Sequence, residues 1–217
     1  MQNCSGHLGK PRTAFTLGDI ARQVLQLRHK ARHIGHTLTT DGAITSDALE
    51  ALGKLKAVGL HVAAITGRPV GWSEPFAGSW PVDAIVAENG AVALQPLPGQ
   101  RLVKRYQQDE TTRQRNYARM QEVLAQIERE VPGARRATDS PGRETDIAID
   151  HSEFTHLPQQ GIDEAVRIMR AAGMNATVSS IHINGWFGAH NKLEGARWIV
   201  RELWGRELDA EMDRWVY

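Results

Sequence analysis

The sequence predicts an α/β fold, an open sheet with a ligand crevice along its strand ends, joined to a smaller α+β unit. Three observations predict it. Residues 61–65 (HVAAI) form an apolar run too short for a typical helix, and the run stops at Thr66-Gly67-Arg68-Pro69. Residues 84–87 (AIVA) repeat the pattern and stop at Glu88-Asn89-Gly90. From residue 109 onward the order changes to helix, strand, helix, strand, which suits a small insert with one open sheet face.

The first strand end carries chemistry. Gly67 lets the backbone turn sharply, and Pro69 suits the first turn of a following helix. A hydroxyl, backbone N–H groups and a guanidinium at the C-terminal end of a buried strand make an oxyanion site. Taken alone, the tripeptide at 66–68 reads first as an ordinary strand-to-helix turn.

Bulk properties narrow the class. The chain has 217 residues, 41% hydrophobic and 24% charged, with net charge +1. No apolar run approaches the roughly 20 residues that cross a bilayer, and the N-terminus lacks a secretory pattern. The single cysteine, Cys4, excludes an intramolecular disulfide and a cysteine-rich zinc site, which fits a reducing cytoplasm. Residues 1–36 carry six Lys or Arg against Asp19 alone, a net +5, and the remainder is net −4. That basic head has no aromatic interleaving beyond Phe15 and no binding module, so neither a nucleic-acid nor a membrane partner is expected.

In chain order, residues 1–14 show no period, and Leu17, Ile20, Val24 and Leu27 predict a short amphipathic helix over 17–27. Residues 28–36 (RHKARHIGH) cannot make a buried strand. A turn at Asp41-Gly42 leads to an N-cap at Ser46 and a helix over 47–58, with Ala48, Leu49, Leu52 and Leu55 inward and Gly59 at its end. Trp72, Phe76 and Trp80 read as packing. A strand over 91–94 reaches Pro96-Leu97-Pro98-Gly99, which reads as a domain boundary. A polar helix over 109–130, a half-buried strand over 146–150, a helix over 162–172 and an alternating strand over 176–183 follow. The chain returns to the first unit at Asn184-Gly185-Trp186-Phe187. A helix over 191–203 turns Leu193, Ala196, Ile199, Val200 and Leu203 inward, and residues 214–217 open another strand.

These segments together resemble the haloacid dehalogenase-like (HAD) phosphohydrolases, in the large-cap branch of Cof-type, sucrose-phosphate and trehalose-phosphate phosphatases. The resemblance covers residues 37–217 and rests on TLTTDGAIT, ITGR at 65–68, ENGA at 88–91, SSIHIN at 179–184, and Lys192 opening a helix. It implies a Rossmannoid core with a parallel sheet over 37–95 and 185–217, an inserted α+β cap over 96–184, and a divergent basic segment over 1–36. It also implies phosphoryl transfer from a sugar phosphate through an aspartyl-phosphate, with Mg²⁺ neutralising the phosphoryl oxygens. Thr66 would hydrogen-bond the phosphate and Lys192 would supply a fixed positive charge. Thr37, Gly67, Arg68, Asn89, Gly90, His182 and Asn184 would line the substrate. Lys192 also reads as a solvated helix-start residue, and His182 as a satisfied strand histidine.

The chain departs from the family pattern at both ends. Counting back from Thr37, the nucleophile position is His33 and the acid/base position is Gly35, where the family has Asp-x-Asp. Gly35 has no side chain to move a proton, and His33 is no carboxylate ligand for Mg²⁺. The family's last acidic loop falls beyond Tyr217. The expectation is therefore a phosphatase altered at its head, by an out-of-frame segment upstream of Thr37, and truncated at its tail, with catalysis lost or severely impaired. The alternative is a pseudoenzyme that binds a sugar phosphate through Thr66, Arg68 and Lys192. A histidine-nucleophile phosphatase using Arg32-His33 fits poorly, because RHIG is not the Arg-His-Gly that such chemistry expects.

Overall fold

The computed structural model describes residues 39–40, 43–99 and 101–216. The helix expected over 17–27, and the positions His33, Gly35 and Thr37, lie outside the described residues. Two four-stranded sheets dominate a mixed α/β architecture.

The first sheet is preceded by a small antiparallel pair, β1 (Thr39–Thr40) with β2 (Ala43–Ile44), and by helix α1 (Ser46–Ala57). The N-cap of α1 is Thr45, one residue before the expected Ser46. Its C-terminus closes as predicted: Gly59 has φ +80°, its N–H donates to Lys56 O and the Leu60 N–H donates to Leu55 O. This pair of hydrogen bonds is the glycine-dependent helix stop. Strand β3 (Ala63–Ile65) runs parallel to β4 (Ala84–Ala87), with α2 (Val70–Ala77) between them. Strands β5 (Val92–Leu97) and β6 (Arg101–Tyr106) complete the order β3-β4-β5-β6, both antiparallel. Strand β4 is central and wholly buried. Strand β3, read from sequence as buried, is half-buried, and among the described residues it stands at the end of the sheet. Trp72, Phe76 and Trp80 pack on one another, with ring centroids 4.6 and 5.0 Å apart along the series. Pro96 and Leu97 are still paired in β5 and the turn begins at Pro98, so residues through Tyr106 lie in the first sheet.

The second sheet is antiparallel throughout, in the order β7-β8-β10-β9. Helix α3 (Glu110–Glu130) starts at Asp109, whose carboxylate accepts from the Thr112 N–H. After it come β7 (Arg135–Arg136), β8 (Ile147–Asp150), α4 (Gln159–Ala171), β9 (Asn175–Val178) and β10 (His182–Trp186). Ile147, Ile149 and Ile183 face the two helices and meet Met120, Leu124, Ile127, Ile168 and Met169. Each such side chain contributes about 1.5–3 kcal/mol by leaving water. Strand alternation then puts Ala148, Asp150, His182, Asn184 and Trp186 on the opposite face, which looks toward the strand ends of the first sheet.

Five expectations are corrected here. Strand β8 is buried on both faces rather than half-buried. The alternating run over 176–183 is a hairpin. Ser179 accepts the His182 N–H through its hydroxyl and donates its own backbone N–H to His182 O, which reverses the chain. Strand β10 runs on through Trp186, so residues 184–186 lie in the second sheet. Residues Leu208–Arg214 form 3₁₀ turns rather than leading into a strand, and the Trp215 ring lies tilted against Trp204 with centroids 5.7 Å apart. Helix α5 (Lys192–Trp204) buries Ile199 and Val200, but Leu193 is exposed, because Gly195 makes the close contact to the first sheet instead.

Candidate active site

The two strand ends singled out by sequence are stitched into one structure. The Asn89 N–H donates to Thr66 O, and the Glu88 N–H donates to Arg68 O, each at 3.0 Å. The Thr66 hydroxyl accepts from the Arg68 N–H at 3.1 Å. Residues 88, 89 and 90 all have positive φ (48°, 56° and 109°), so the turn holds three consecutive left-handed residues. Two of them are not glycine, and strain of this kind gathers at functional sites. Gly67 is required for space: a Cβ there would lie 2.9 Å from the Asn89 side-chain oxygen. Gly90 meets the backbone of Asn191 and Gly195, which sets the N-terminus of α5, and with it the exposed Lys192, against the 88–90 turn. Asn191 caps that helix by accepting the Leu193 and Glu194 N–H groups.

The loop before β8 closes over these turns from the second sheet. The Glu88 carboxylate is fully buried and accepts from the Val70, Glu144 and Thr145 N–H groups and from the Thr145 hydroxyl. Burial pushes its carboxyl up to about 7, Asp146 adds to the rise, and these hydrogen bonds oppose it. Arg143 is buried with Nη1 2.8 Å from Asp146, a two-pronged contact to Asp139, and a 3.4 Å bond to Gly67 O. Burial works against the Arg143 charge, yet Asp146 and Asp139 outweigh it and hold its proton more tightly. Burial likewise raises Asp146, against the pull of Arg143. Asn89 and Asn184 both donate to Asp146 Oδ2, at 3.3 and 3.4 Å. Arg68 lies 3.7 Å from Asp139 and 3.6 Å from Glu153, and His182 Nε2 lies 2.8 Å from Glu153. Burial first, then Arg143, lowers His182.

Of the residues expected from sequence, the structure therefore brings Thr66, Gly67, Arg68, Asn89, Gly90, His182 and Asn184 into one interlocked region, with Lys192 at its border. Sequence reading missed Glu88 as an acceptor, and it missed Arg143, Asp146, Asp139 and Glu153. The signal available was Arg143-Glu144-Thr145-Asp146, a charged run set directly before an apolar strand.

The Mg²⁺ implied by the resemblance needs carboxylates with free oxygens. Glu88 and Asp146 are already occupied by N–H donors and Arg143, and among the described residues no group of three His, Cys, Asp or Glu could hold a metal ion. The described residues do not fit the ion. No helix of the described residues is long and apolar enough to cross a membrane.

The fold is that of the haloacid dehalogenase-like hydrolases, whose family model matches residues 35–131. Among solved structures the chain is similar to Thermoplasma acidophilum 0175, with 14% identity and a TM-score of 0.62 over 79% of this chain and 69% of that one. The C-terminal domain of the C. albicans trehalose-6-phosphate phosphatase matches at 14% identity and TM-score 0.55, over 82% of this chain and 60% of that one. The sucrose-phosphatase of Synechocystis sp., solved with sucrose and phosphate, matches at 15% identity and TM-score 0.52, over 76% and 66%. The chain thus spans about two thirds or less of these last two proteins. No curated protein matches the chain.

Proposed function

We propose that this chain recognises a phosphorylated sugar at the 66–68 and 88–90 turns, as a HAD-type sugar-phosphate phosphatase, and turns it over slowly or not at all. The observation that carries the reading is the joining of those two turns under the N-terminus of α5. The first sheet with α5 serves as the core, and the second sheet with α3 and α4 as the cap. Thr66, Gly67 and Arg68 hold the phosphate, and Lys192 adds positive charge. Asn89, Gly90, His182 and Asn184 face the sugar. The likeness to trehalose-6-phosphate phosphatase and sucrose-phosphatase folds supports this substrate class.

Turnover is impaired because His33 and Gly35 stand where the family has its nucleophile and proton donor. Proton transfer alone is worth about 10² to 10⁴ in rate. Neither Glu88 nor Asp146 replaces them, since each carboxylate is saturated by the protein itself. That saturation favours the limiting case, a sugar-phosphate binder without turnover. The test is phosphate release from glucose 6-phosphate and trehalose 6-phosphate, with Mg²⁺ supplied. The unmodified chain is expected to release none above background, and a chain carrying both His33→Asp and Gly35→Asp to release more. Release by the unmodified chain at an ordinary enzymatic rate would refute the impairment.

A further inference from the structure

The loop that follows β8 is built to present one carboxylate. Asp150 is buried, and its two oxygens accept the N–H groups of Ser152, Glu153, Phe154 and Thr155 at 2.8–3.2 Å. The Thr155 hydroxyl adds a bond to Asp150 O. Four backbone donors on one side chain fix the loop's path, so the position of Glu153 is set by the fold rather than by chance on a loose surface. From there the Glu153 carboxylate reaches Arg68 at 3.6 Å and His182 Nε2 at 2.8 Å. Asp139 approaches the same guanidinium at 3.7 Å. The side chains of Arg68, Asp139 and Glu153 are 17–22% exposed, so a solute can reach them.

The charges at this mouth do not balance. Two guanidiniums, Arg68 and Arg143, face three carboxylates, Asp139, Asp146 and Glu153, and His182 is held toward its neutral form by burial. A phosphate group can share Arg68. A second negative group on the same ligand would meet the carboxylates of Glu153 and Asp139, whereas a hydroxyl can donate to Glu153.

We propose that Glu153 is a specificity-determining residue that restricts the site to monophosphates of neutral polyols and rejects phosphorylated carboxylic acids. The inference rests on reading residues 66–68 as a phosphate site. Like charges a few ångströms apart at a partly exposed site are worth about tenfold in affinity.

The test is calorimetric titration of the full chain with inorganic phosphate, glucose 6-phosphate and 3-phosphoglycerate, beside Glu153→Gln and a control, Glu164→Gln, on the exposed Glu164–Arg167 pair. The unmodified chain should bind glucose 6-phosphate about tenfold more tightly than 3-phosphoglycerate. Glu153→Gln should shrink that ratio about fivefold or more, chiefly by tightening 3-phosphoglycerate, and Glu164→Gln should leave it unchanged. Phosphate binding with a ratio that Glu153→Gln does not move, or equal affinity for the two esters, overturns the role of Glu153 alone. Failure of all three ligands to bind a folded chain refutes the phosphate site, and the inference falls with it.

Discussion

Two buried side chains, Glu88 and His190, bring pH sensitivity to the level of single residues, and they act in opposite directions. Glu88 is raised from 4.5 to about 7, chiefly by burial. The folded state therefore binds its proton more tightly, so this contribution to stability is complete below 4.5 and is lost as pH rises through 7. His190 is lowered from 6.5 to about 4 by burial against Trp186. Its contribution is complete above 6.5 and is lost as pH falls through 4. Each shift corresponds to about 3 kcal/mol, so between 4.5 and 6.5 the two slopes offset one another. Urea unfolding across pH 4.5–7.5 separates them. Glu88→Gln should leave a chain that loses stability toward acid, and His190→Phe one that loses stability toward pH 7. Parallel profiles for both variants and the unmodified chain would contradict the assignment.

Among the elements, α5 matters most because its first turn positions Lys192. The helix approaches the 88–90 turn through two glycines, and a Cβ on Gly195 would lie 2.6 Å from Gly90 Cα. Gly195→Ala should cost about 1–3 kcal/mol by overpacking and should weaken glucose 6-phosphate binding. Gly53, inside α1, has nothing within 4 Å of its would-be Cβ. Gly53→Ala should therefore stabilise by about 0.5–1 kcal/mol through helix propensity alone. Thermal melts of the two variants should move in opposite directions, and shifts of the same sign would contradict this account of the contact. These elements were also where sequence was most legible. The apolar run over 84–87 and the polar helix over 109–130 each state their structure locally. The β9–β10 hairpin was not legible, because apolar and polar residues keep alternating through Ser179-Ser180 and the period does not register a reversal. The left-handed turn was half legible: Asn89-Gly90 announces a turn, but nothing local places Glu88 at φ +48°.

Across the whole molecule, the two sheets are held together by charges that sequence spacing cannot pair. Glu88 meets Thr145 and Asn89 meets Asp146 over separations of 57 residues, and Arg143 reaches Gly67 over 76. Arg143 is the centre of this joint. Arg143→Leu leaves buried Asp146 without its cation and Asp139 with only its longer contact to Arg68, and should cost about 3–5 kcal/mol. Arg143→Lys should recover little, since a point charge cannot reproduce the fork that grips Asp139. Unchanged unfolding temperatures in both would contradict the joint. The candidate site was legible in its two turns, through residue type at strand ends, and illegible in the loop that covers them. The central claim is that these turns form a working phosphate cradle. Calorimetric titration of glucose 6-phosphate into the full chain and into Thr66→Val tests it most directly. The account predicts saturable binding that Thr66→Val weakens at least about tenfold, as loss of a hydrogen bond to a charged group should. Equal affinity in the two chains, or no binding by either while both remain folded, would contradict it.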